Sequence, residues 1–161
     1  MLPTRGADSR QQPANTMTDK HMYMKFLEDL RLRHFRPSEI ANQANRVRGD
    51  VHNSLPPEEL WDNIVPTLWV VDQVRRHLGR PITITSAYRS PEYNKAVGGA
   101  LHSQHKSNTA LDLIPHSTSP HKLFRALKAL RDAGAFQGGL GLYSSFVHVD
   151  TRGRNATWGA S

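Results

Sequence analysis

Apolar residues return every three or four positions through Leu60, Ile64, Leu68, Val71 and Val74, the spacing that lines one face of an α-helix. The run follows Asn53-Ser54-Leu55-Pro56-Pro57-Glu58-Glu59. There proline suits a first turn and acids suit the positive end of the helix dipole. Gly79, a residue suited to a left-handed cap, ends it. This predicts a core helix ending near Leu78. A second amphipathic helix is predicted from Lys20 to Arg33, with Met24, Leu27 and Leu30 on one row and Phe26 on the next. His34-Phe35-Arg36-Pro37-Ser38-Glu39 breaks it, because Pro37 biases its predecessor away from helix. A third helix is predicted from Ser119 to Asp132, with Leu123, Leu127 and Leu130 inward.

Elsewhere the period falls to two. Pro81-Ile82-Thr83-Ile84-Thr85-Ser86 and Ala110-Leu111-Asp112-Leu113-Ile114 read as strands. Gly138 to Tyr143 and Phe146 to Asp150 read as two more, around a Ser144-Ser145 turn. Helical runs beside such strands define an α+β fold, a small antiparallel sheet flanked by helices. The 161 residues suit one domain. It is assigned to 20–161, after a polar, Pro- and Gly-containing tail over 1–19 that is expected to be disordered.

Bulk properties remove some classes of function. No apolar run approaches a membrane span, and no secretory signal is visible at the N-terminus. Net charge is 21 minus 14, or +7, which either attracts a polyanion or merely solvates a basic face. The basic residues are scattered, without a helix-turn-helix, zinc-finger or aromatic RNA-binding pattern, so nucleic acid is not the expected partner. Without cysteine, a metal site would be built from nitrogen and oxygen donors. Such sites are typically catalytic, with three protein ligands and an open position.

Two segments carry that chemistry: Ser103-Gln104-His105-Lys106-Ser107-Asn108-Thr109-Ala110-Leu111-Asp112 and Phe146-Val147-His148-Val149-Asp150. Asp112 between Leu111 and Leu113, and His148 between Val147 and Val149, are costly to bury unless paired or metal-bound. Each taken singly also reads as a salt-bridge partner or a core histidine. Asn108 can take the left-handed turn that Gly usually fills, bringing His105 toward the same cleft. Asp150, two positions beyond His148 on the strand, points the same way. His102 reads as an exposed loop residue or spare ligand; His52, His77, His116 and His121 have no supporting context.

From about His34 to Trp158 the chain resembles the zinc D-alanyl-D-alanine carboxypeptidases, which share the hedgehog/DD-peptidase fold. The matching stretches are Ile84-Thr85-Ser86-Ala87-Tyr88-Arg89-Ser90-Pro91, Asn94, Val97-Gly98-Gly99-Ala100, the Ser103 to Asp112 segment, and Gly138-Gly139-Leu140-Gly141 through His148-Val149-Asp150-Thr151-Arg152-Gly153. The resemblance implies Zn2+ held by His105, Asp112 and His148. It implies Arg89 as the binder of a substrate carboxylate, the alternative being a structural ion pair. It implies Ser103 as a substrate-positioning hydroxyl, the alternative being a turn cap. The implied activity is hydrolysis of peptidoglycan stem peptides by a DD-carboxypeptidase or endopeptidase, with a monomer expected. The alternative is a non-catalytic, zinc-containing cell-wall or peptide-binding module.

The chain departs from the family pattern at Asn108, where Gly is usual, and at Ser145, where many members carry an acidic general base three residues before the last ligand. Asp150 is the nearest substitute. It is expected to act as base, or to orient His148, or to be a ligand itself with His148 as base. A wall substrate lies outside the cell, and a phage-encoded or virion-associated protein would reconcile this with the missing signal. Otherwise the chain as written is cytoplasmic.

Overall fold

The computed structural model describes residues 16–159. Along them run α1 (Thr16–Asp29), α2 (Pro37–Ala41), β1 (Val47–Arg48), β2 (Val51–His52), α3 (Val65–Leu78), β3 (Ile82–Ser86), α4 (Pro91–Ala96), β4 (Ala110–Pro115), α5 (Pro120–Asp132), β5 (Gly139–Leu142), β6 (Val147–Asp150) and β7 (Ala156–Trp158). Stretches of 3-10 helix at Asn42–Asn45 and Glu58–Ile64 precede β1 and α3.

The tail expected over 1–19 lies outside the described residues as far as position 15. Residues 16–19 are helical, so that boundary is corrected: α1 begins before the expected Lys20, with Asp19 in its first turn, where the dipole favours an acid. The helix also stops at Asp29 rather than Arg33. Arg31 turns left-handed at φ 53°, and the Asp72 carboxylate on α3 accepts the N–H groups of Arg33 (3.1 Å) and His34 (2.9 Å). Pro37 does not only interrupt; it starts α2. Glu39 Oε2 accepts the Arg36 N–H at 2.6 Å and the Glu39 N–H bonds back to Arg36 O at 3.0 Å, a reciprocal cap on a short helix.

The main sheet has the order β3-β4-β6-β5-β7. It is antiparallel, as expected, except at one edge, where β7 runs parallel to β5. β1 and β2 form a separate two-stranded ribbon. Alternation along β4 and β6 sorts the side chains. Leu111, Leu113, Val147 and Val149 join the core with Leu68, Val71, Leu123 and Leu127 of α3 and α5, each such burial stabilising by about 1.5–3 kcal/mol. Asp112 and His148 therefore face the opposite side, directly across from each other in register. The register of β3 shifts between Ile84 and Ser86, which sets Ser86 opposite Asp112, as a bulge does when it re-aims a side chain.

On that same face the Trp158 indole lies over Gly141, which pairs with His148. A Cβ at Gly141 would overlap the indole nitrogen. Gly141→Ala should destabilise the fold by about 1–3 kcal/mol, lowering the melting temperature by roughly 2–4 °C per kcal/mol. An unchanged melting temperature in calorimetry would show that the ring is not seated there.

Candidate metal centre

The loop between α4 and β4 is wound into consecutive turns. Ser103 N–H bonds to Ala100 O at 3.0 Å, Lys106 N–H to Ser103 O at 3.1 Å and Asn108 N–H to His105 O at 3.3 Å. Asn108 closes it at φ 57°, and its Nδ2 donates to Leu60 O at 2.9 Å. Asn thus fills the left-handed position and adds a tie to the helical layer that Gly would lack. The outcome is that His105, 2% exposed, sits beneath the loop. Its Nδ1 lies 2.7 Å from Ala87 O. A carbonyl only accepts, so Nδ1 carries the proton and Nε2 presents a bare lone pair. That Nε2 is buried without a hydrogen-bond partner.

Nε2 of His105 stands 3.2 Å from Asp112 Oδ1, and Nδ1 of His148 stands 3.2 Å from the same oxygen. The far nitrogen of His148, Nε2, bonds to Asp150 Oδ2 at 2.7 Å. Three potential ligand atoms therefore converge, each imidazole held by its opposite nitrogen. Donors bonded at about 2.0–2.2 Å to a tetrahedral ion sit about 3.3 Å apart, close to the spacing observed. His105, Asp112 and His148 form the group able to hold a metal ion among the described residues, and the orphaned His105 nitrogen fits them to zinc.

Burial works to raise the Asp112 pKa, but the neighbouring His105 and His148 outweigh it and hold the carboxyl well below its usual range. Burial works to lower that of His148, and the Asp112 and Asp150 carboxylates outweigh it, so the imidazole is pushed up. The other Asp112 oxygen accepts Arg89 Nη2 at 3.2 Å. Arg89 also donates through Nε to Ser86 Oγ (3.0 Å) and through Nη1 to Asn94 Oδ1 (3.3 Å). Three of its five N–H donors are thus engaged within the protein.

Asp150 has no exposed surface. Its Oδ1 accepts the Gly139 and Arg152 backbone N–H groups at 2.9 and 3.1 Å and Arg152 Nε at 2.9 Å. Its Oδ2 accepts His148 Nε2 and Arg152 Nη2, both at 2.7 Å. Burial would raise its pKa, but Arg152, His148 and the Gly139 N–H more than offset this, holding the carboxyl below the ordinary range. Ser103 Oγ accepts the His105 N–H at 3.2 Å and so caps the turn. His102 and Ser145 are exposed, as are His52, His77, His116 and His121, and none of these joins the group.

Sequence reasoning passed over Arg152 and Trp158. A buried strand aspartate calls for a cation, and the nearest along the chain is Arg152, two positions on. Trp158 packs its ring 5.0 Å from the His148 ring, under the Arg152 guanidinium at 5.4 Å. In front of Asp112 opens a cavity of about 230 Å³, bordered by Arg46, Arg89, Tyr88, Tyr93 and Phe146 among others.

A His-Asp-His group with anchored imidazoles, on a sheet face beside an open cavity, is able to hold one metal ion. The family model described as Peptidase M15 matches residues 33–150, and the chain belongs to that family, the zinc D-Ala-D-Ala carboxypeptidase-like metallopeptidases. No curated protein matches the chain. No helix among the described residues is long and apolar enough to cross a membrane.

Proposed function

We propose that the protein is a zinc peptidase acting on the stem peptides of peptidoglycan, as a carboxypeptidase or an endopeptidase. The observation that carries this reading is the convergence of His105 Nε2, Asp112 Oδ1 and His148 Nδ1 beside the cavity. These residues would hold the zinc. The chemistry a bound zinc supplies is Lewis acidity toward a peptide carbonyl and toward water. Ala87 O and Asp150 fix the two imidazoles from behind, and Arg89 holds the second oxygen of Asp112. In this reading Asp150 orients His148 rather than taking a proton, because its lone pairs are already engaged by five donors. Ser103 shapes the loop that delivers His105. A monomer is the state this reading expects. A phage-encoded or virion-associated origin would bring such a protein to the wall.

The test is to measure zinc in the purified protein and incubate it with defined muropeptides, before and after chelation and zinc return. Cleavage that disappears with chelation and returns with zinc is the expected result. A second reading, a zinc-containing module that binds wall peptides without cutting them, is favoured by one observation. Asp112 is the sole carboxylate among the described residues lining the cavity, and Ser145 stands where an acidic base is usual. One zinc per chain with peptide binding and no product would establish that reading.

A further inference from the structure

We propose that the substrate runs through a cleft open at both ends and is cut internally, which makes the protein an endopeptidase for a cross-linked pair of stem peptides. This rests on the peptidase reading of the site. A carboxypeptidase needs a site closed one residue beyond the scissile bond. Here the cavity in front of Asp112 is continued on either side. Toward β3, Asn53 and Tyr88 border both it and a larger cavity of about 660 Å³, so the two abut. Asn53 is fixed at that junction. Its Nδ2 donates to Gln43 O (3.1 Å) and Tyr88 O (2.8 Å), and its Oδ1 accepts the Ser90 N–H at 2.9 Å. Toward β5, Phe146 borders the first cavity and stacks on Tyr143 with ring centroids 4.3 Å apart. Tyr143 borders a third cavity of about 410 Å³, and its hydroxyl accepts Trp158 Nε1 at 2.9 Å. The three cavities thus follow one another across β3, β4, β6 and β5. At about 4.8 Å per strand this is about 14 Å, the reach of about four extended residues.

The chemistry of the largest cavity identifies its occupant. Met22, Pro56 and Trp61 give it apolar walls, and Asp19, Lys20 and Glu58 bring charges of both signs. An apolar lining of this size with a few charged groups is that of a ligand site. The Trp61 ring is held by its Nε1 bond to Pro56 O at 2.9 Å, while Met22 is 48% exposed. A peptide offers ammonium, carboxylate and apolar groups together; a neutral saccharide does not. Asp19, Lys20 and Met22 belong to α1, which precedes the residues 33–150 matched by the family model. This part of the cleft is therefore an addition to the family's scaffold. Hydrolysis in such a cleft adds water across an internal amide, hydroxyl to the acyl carbon and proton to the amine. It frees two peptides instead of one amino acid.

The test uses zinc-loaded protein and two muropeptides: a cross-linked tetrapeptide dimer and a linear pentapeptide, with products read by mass spectrometry. The wild type should split the dimer into two peptides and favour it in kcat/KM by about tenfold or more, the worth of burying one apolar side chain. Remote contacts of this kind act on turnover as well as on KM. Met22→Glu should bring the dimer-to-pentapeptide ratio toward one while the protein keeps its zinc, and Met22→Leu should keep the wild-type ratio. A wild type that prefers the pentapeptide and releases its last residue, or a Met22→Glu ratio equal to the wild-type ratio, overturns the proposal. If neither muropeptide is cut, the peptidase reading fails on its own account. Calorimetric binding of the same two muropeptides then decides the cleft by the same ratio, and binding of neither overturns it.

Discussion

Asp112→Ala protein should purify without zinc and hydrolyse no peptide. One oxygen of Asp112 is shared by both imidazoles at 3.2 Å, so its removal leaves two histidines that no longer address a common point. Structural zinc sites in small domains are worth on the order of 10–16 kcal/mol in all. Losing one of three ligands should therefore weaken binding about a thousandfold. The substitution also strands Arg89, whose carboxylate partner is Asp112. Breaking a buried pair from one side typically costs about 3–5 kcal/mol, so part of the effect could be a folding defect. Asp112→Asn separates the two: it keeps the volume and most of the packing but removes the charge. It should stay folded by circular dichroism and still lose zinc in a competition assay with a chromogenic chelator. Wild-type affinity in the Asn variant would mean that the metal is held elsewhere.

Asp150→Asn should weaken zinc binding about 10- to 100-fold, the usual cost of losing a partner that orients a ligating histidine, and peptide cleavage should recover in excess zinc. A general base would behave differently. Its loss would leave zinc affinity untouched and reduce turnover by about 10²–10⁴ at saturating metal. The two roles are therefore told apart by titrating zinc against rate in the variant.

The same substitution has a pH signature in the metal-free protein. The Asp150 carboxyl titrates below its ordinary range in the folded state, held there against burial by Arg152, His148 and the Gly139 N–H. A group depressed on folding adds stability above its unfolded pKa, about 3.9, and loses it as pH falls through the folded value. The stability gap between wild type and Asp150→Asn in urea should be full at about pH 5 and above and should narrow progressively as pH falls below about 4. A gap that is constant with pH would show that the carboxylate charge is not what the surrounding donors stabilise.

The central group was legible because a polar residue in an apolar alternating strand has few acceptable fates. Asp112 and His148 announced themselves in that way, and His105 followed through the loop that Asn108 turns. The long helices were legible for a similar reason, since α3 and α5 each repeat their apolar face several times. Short elements repeat nothing. α4 has six residues, although Ser90 Oγ caps it by accepting the Tyr93 N–H at 3.1 Å. β7 has three residues and is placed by its pairing with β5. The engagement of Asp150 and Arg89 was not legible either, because it depends on which donors tertiary packing brings to each carboxylate. Spacing along a strand shows which way Asp150 points, not that Arg152 and Gly139 have already taken its lone pairs.

The direct pairing of Asp112 with His148 across β4 and β6 also bears on how the chain finds its fold. Each strand is short, and its apolar residues are interchangeable enough that a neighbouring alignment would still form a ladder. A slip of one residue, however, would exchange the faces. It would press a carboxylate and an imidazole into the layer beneath α3 and α5 and turn leucine and valine out to water. Burying unpartnered groups of that kind costs several kcal/mol. The pair built for chemistry thus penalises every odd-numbered misalignment of the sheet, before any metal arrives.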